Sequence, residues 1–176
     1  MASFDPARVS KPEWIGLGAG LLAFVASFLP WFTVSFSGPI TVLDGYWASA
    51  WSLGFAAWFP VLLLVAGAGL LLAQHLGAEV PKPRTGWPLI LLGVAVIALV
   101  IILLRWLTLP GASDFGGEGG VSYGAGFGLY VGIVAAILFG LSQYLVFRSS
   151  GQKFGDAAQQ FRGGGGTGPD PAPPTY

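Results

Sequence analysis

Apolar and polar positions divide this chain into four long apolar runs, at about residues 14–32, 52–75, 87–107 and 124–147. Polar or glycine-rich stretches separate them. A helix rises about 1.5 Å per residue, so about 20 apolar residues cross a hydrocarbon core about 30 Å thick. In lipid a chain satisfies its backbone hydrogen bonds internally. The pattern therefore predicts an all-α fold, an integral membrane four-helix bundle over residues 14–147. A polar lead (1–13) precedes it, and a tail (148–176) follows. The first run is longer than the apolar core of a usual secretion signal and lacks a clean small-x-small site before a polar start, so a retained span is expected.

The last run, Tyr123 to Phe147, organises the rest. Gly124, Gly128, Gly132, Ala136 and Gly140 recur at four-residue intervals. On a helix they form one inclined row with almost no side chain, along which a second helix can bring its backbone close. In water each such glycine would weaken the helix by about 1 kcal/mol relative to alanine. The first run has its own small face, Gly16, Ala19, Gly20, Ala23 and Ser27, and is the expected partner. Gly67, Gly69 and Ala73 give the second run a similar surface, and Pro60 predicts a kink there. The third run is Leu, Ile and Val on all sides, which predicts more lipid contact.

Between the first two runs the period changes. Leu29-Pro30-Trp31 ends the first helix, and Phe32, Val34 and Phe36 then alternate with Thr33, Ser35 and Ser37. That is a strand period. Gly38-Pro39 signals a turn, and Ile40 to Leu43 is the expected return strand of a small β-hairpin in the first outer loop. Trp31, Tyr46, Trp47, Trp51 and Trp58 match an interfacial aromatic belt.

Composition agrees with a membrane reading: 54% of residues are hydrophobic and 9% charged. Net charge is zero, so nothing points to nucleic acid. Without cysteine there are no disulfides, thiolate metal sites or thiol nucleophiles. With four spans, Arg8, Lys11, Lys82, Arg84, Arg148, Lys153 and Arg162 share one side, and only Arg105 lies toward the other. The positive-inside rule then makes both termini cytoplasmic and turns the first and third loops outward. The tail carries Phe154, Ala157, Ala158 and Phe161 at helical spacing, read either as a short surface helix or as part of a disordered tail; from about Gly163 it is Gly- and Pro-rich and expected to be disordered. Trp14 and Trp87 each open a helix that closes in Leu-Pro, a faint internal repeat.

Few side chains carry chemistry. Arg105 either snorkels to phosphate headgroups or pairs with Asp44 or Asp114 and pins the outer loops. His75 is the sole histidine, so no metal cluster is expected. Ser142, Gln143 and Tyr144 read as interface residues or interhelical hydrogen-bonding groups. No Asp or Glu lies within a span to relay protons, and no polar stripe lines a pore. No cofactor fingerprint or catalytic arrangement is present.

The Leu-Pro-Trp close of the first helix, the outer Asp44-Gly45-Tyr46-Trp47, Leu109-Pro110-Gly111 and the Tyr123-Gly-Ala-Gly-Phe-Gly-Leu129 opening of the fourth resemble a family of small bacterial four-span membrane proteins. These come from high-GC Gram-positive bacteria and are of unknown function. The resemblance implies a plasma-membrane location and no established activity. The expected role is non-enzymatic: a scaffold or accessory subunit of a cell-envelope complex, with the bilayer and a membrane protein or a second copy as partners. The alternative is an oligomeric channel or transporter subunit, and a more distant one a lipid-headgroup enzyme at the outer face.

Overall fold

The computed structural model describes residues 9–36, 46–78, 80, 81, 83, 86–109 and 121–150. The expected return strand at Ile40–Leu43 and the tail beyond residue 150 lie outside these. Among the described residues four helices appear, α1 (Lys11–Ala26), α2 (Phe55–His75), α3 (Trp87–Leu107) and α4 (Phe127–Ser149). They are joined by three strands, β1 (Phe32–Phe36), β2 (Tyr46–Ala48) and β3 (Val121–Ala125). The fold is thus mostly helical with a small sheet, rather than all-α. Helices α2, α3 and α4 are long and apolar enough to cross a membrane.

Local chemistry sets the helix ends. Ser10 precedes α1, its backbone N–H donates to Glu13 Oε2 over 2.8 Å, and Pro12 occupies the first turn. Helix α1 ends at Ala26, earlier than the apolar run. Ser27 to Leu29 close it as a turn, because the residue before Pro30 avoids helical geometry. Gly54 and Gly86 precede α2 and α3 with φ of 89° and 75°, a region that favours glycine. Pro60 lies inside α2, in its second turn, and the helix continues past it to His75.

The helices form a ring. Helix α1 packs against α2 and α4, and α3 packs against the same two, leaving α2 and α4 as a diagonal pair. Phe139 of α4 reaches across the centre to Gly67 of α2, where an added Cβ would stand 2.8 Å from its ring. Leu64, Ile102, Leu129 and Ala135 belong to the same buried core. Helix α3 is the most outward-facing: 22% of its apolar stretch is buried, against 39% for α2 and for α4.

The sheet has the order β2-β1-β3, both pairings antiparallel. Strand β1 matches the alternation seen in the sequence. Its partner β3 does not follow from local pattern, because it lies some 90 residues away, within a segment read as loop and helix. Gly124 accordingly sits in β3, opposite Thr33, and not in α4. One face of the sheet, Phe32, Val34 and Ala48, is buried against Leu53, Leu109 and Tyr123. Side chains alternate across a strand, so the row Trp47, Thr33 and Gly124 faces the other way.

Candidate interaction surface

The sheet is fastened to the bundle by the Leu29-Pro30-Trp31 corner. The first N–H groups of a helix lack intrahelical partners. Here Gly128 N–H donates to the Pro30 carbonyl over 2.7 Å, and Gly126 N–H to the Trp31 carbonyl over 2.9 Å. Trp31 N–H in turn donates to the Ala48 carbonyl of β2 over 2.8 Å. A Cβ at Gly126 would collide with the Pro30 carbonyl, so glycine is what lets the two backbones meet.

The Trp31 side chain is fully buried, and its Nε1–H donates to the Ala26 carbonyl over 2.8 Å. It lies on the bare part of α4. An added Cβ would stand 2.7 Å from its ring at Gly128 and 3.1 Å at Gly132. The glycine row therefore has several partners along its length. Gly128 and Gly132 seat a tryptophan, and Gly140 faces Ala95 of α3, whose Cβ would be 3.4 Å away. Ala136 is buried in the core. Gly124 has nothing within 4 Å. On α1 the small residues split as well. Gly16 meets Ser142 and Gln143 of α4 and Leu71 of α2, whereas Gly20 meets only α2, at Ala68.

The corner holds a broad aromatic surface at the sheet end. Phe24 and Phe28 stand edge to face at 5.2 Å, Phe28 meets Trp51 at 6.1 Å, and Trp51 stacks on Trp58 at 6.4 Å. Phe55 continues the array against Trp58 and Phe59, at 5.0 and 4.5 Å. Trp51 Nε1–H donates to Ser27 Oγ over 3.1 Å, which ties this array to the end of α1. Trp106 and Tyr130 form a second, smaller group across α3 and α4. The amphipathic rings among these, Trp51, Trp58, Trp106 and Tyr130, suit the level of lipid headgroups. Tyr46 and Trp47 stand apart on β2, 62% and 55% exposed.

Arg105 occupies the last turn of α3, where a cation is favoured by the helix dipole. Its Nη1 lies 3.5 Å from the Thr108 carbonyl. Its Nε is buried and has no hydrogen-bond partner among the described residues. Asp44 and Asp114, the expected ion-pair partners, lie outside the described residues. At the other end of the bundle His75 Nδ1 contacts the Leu71 carbonyl at 2.8 Å, and its Nε2 stands 3.5 Å from Glu13 Oε2. Among the described residues no three His, Cys, Asp or Glu side chains gather into a metal-binding group.

No family model, curated protein or solved structure matches this chain.

Gly126 and the strand nature of residues 121–125 escaped the sequence reading. Their signal was present in Ser122-Tyr123-Gly124-Ala125, an alternation too short to compete with the four-residue glycine spacing.

Proposed function

We propose that this chain is a four-span protein of the plasma membrane, with both termini cytoplasmic, acting without catalysis as a scaffold or accessory subunit of a cell-envelope complex. Helix α1 is the shortest at 16 residues, about 24 Å at 1.5 Å per residue, and the Ser27–Leu29 turn lengthens the span. Packing of α1 against both α2 and α4 supports placing it in the bilayer with them. The distribution of Lys and Arg supports the orientation.

The observation that carries the scaffold reading is the exposed Trp47 on a sheet clamped to the bundle at the Leu-Pro-Trp corner. The aromatic array on α1 and α2 is explained by lipid. Trp47 lies on the sheet face turned away from the bundle, and an exposed tryptophan on a rigid support is the kind of anchor that protein interfaces use. The test is site-specific photocrosslinking from position 47 in native membranes, with position 62 on the lipid face of α2 as reference. Recovery of a defined foreign membrane protein from position 47 alone supports the reading. Adducts only between copies of this chain, with ion flux in liposomes, would replace it with the channel reading.

A further inference from the structure

The bundle end away from the sheet buries polar side chains that the surface described above does not use. Ser142 and Gln143 of α4 are fully buried. Gln143 Nε2 donates to Ser142 Oγ over 3.0 Å. Gln143 Oε1 has no hydrogen-bond partner among the described residues, and neither has the buried Nε2 of Gln74 in α2. Turning the Gln143 amide over would leave its Nε2 in that position instead, so one end stays unpaired in either assignment.

Gly16 of α1 brings the three helices together here. A Cβ at Gly16 would stand 2.5 Å from Ser142 Oγ and 3.2 Å from both Gln143 Nε2 and Leu71 Cδ1. Gln74 follows Leu71 by three residues, on the same side of α2. The contact of His75 with Glu13 joins α2 to α1 at the end of the bundle. An unpaired amide acceptor on α4 and an unpaired amide donor on α2 thus lie toward the same end of the bundle, each costly to leave unmade in apolar surroundings. A water molecule can accept from one and donate to the other, and such waters take two to four polar partners.

We propose that this region is a binding site for ordered water, which accepts from Gln74 Nε2, donates to Gln143 Oε1 and so links α2 to α4 past Gly16. The two helices are diagonal in the ring, and their contact deeper in the bundle is Phe139 against Gly67. The water gives them a second, polar one.

The test uses the full chain, isotope-labelled in lipid bilayers, and water-edited solid-state NMR. Magnetisation from water should reach the side-chain amides of Gln143 and Gln74 several-fold faster than the backbone amide of Phe139. In Gln143→Met, which removes the acceptor at similar volume, transfer to the Gln74 amide should fall several-fold. Dry amides in the unaltered protein would overturn the proposal. So would unchanged transfer to Gln74 in Gln143→Met, which would mean that its water does not bridge. If Gln143→Met does not fold, Gln74→Met is read at the Gln143 amide by the same criterion.

Discussion

Alanine at Gly128 sets helix propensity against the seat of Trp31. The new Cβ would stand 2.7 Å from Trp31 Cδ1, 2.8 Å from Leu29 Cβ and 2.9 Å from the Ala26 carbonyl oxygen. None of these is the free end of a flexible side chain. Trp31 is fully buried and bonded to the same Ala26 carbonyl, so it cannot withdraw without losing that bond. Overpacking of this kind costs about 1–3 kcal/mol, and the threatened hydrogen bond contributes about 0.5–1.5 kcal/mol. Alanine returns at most about 1 kcal/mol as the better helix former. A net loss of about 1–3 kcal/mol follows. At Gly132 the nearest atom is 3.1 Å away on the Trp31 ring, so the two effects nearly cancel. At Gly140 the nearest is Ala95 Cβ at 3.4 Å, an ordinary contact, and alanine should be neutral or stabilising. Unfolding of the three variants by SDS titration in mixed micelles would give the order. Gly128→Ala as stable as Gly140→Ala would refute the seat.

Trp31→Phe should lose about 2–4 kcal/mol in the same titration, from the Nε1 hydrogen bond and the space the indole leaves. Gly67→Ala should lose about 1–2 kcal/mol, because its Cβ would stand 2.8 Å from the Phe139 ring at the bundle centre. Trp47→Ala should leave stability within about 0.5 kcal/mol, since the side chain is mostly exposed, while abolishing partner capture in pull-downs. A reporter fused after Tyr176 should read as cytoplasmic, and one inserted next to Trp47 as external; an external reading at Tyr176 would reverse the orientation.

The helices were legible because hydropathy over some twenty residues is a strong signal, and α3 begins and ends where its apolar run does. Strand β1 was legible from strict alternation over Phe32–Phe36. What could not be read was pairing at a distance. Nothing near Ser122 or Gly124 states that Ser35 and Thr33 lie opposite. The glycine spacing invited a single explanation, a helix partner along the whole row. The structure divides the row among a strand position, the end of α1 with its tryptophan seat, and a contact with α3. The small face of α1 was likewise divided: Gly20 meets α2, whereas Gly16, one helical turn away, meets both α4 and α2, and only tertiary placement separates them.

The end of α1 and the start of α4 form one unit, joined by the Leu-Pro-Trp corner and the β1–β3 pairing. Because the natural chain has no cysteine, engineered pairs report without background. Thr33 and Gly124 face each other across the two strands, and a side chain at Gly124 meets nothing within 4 Å. In native membranes Thr33→Cys with Gly124→Cys should oxidise readily to an intrachain disulfide, while Thr33→Cys with Tyr123→Cys, on opposite faces of the sheet, should not. Failure of the first pair alongside efficient closure of the second would mean that β1 and β3 do not pair in this register.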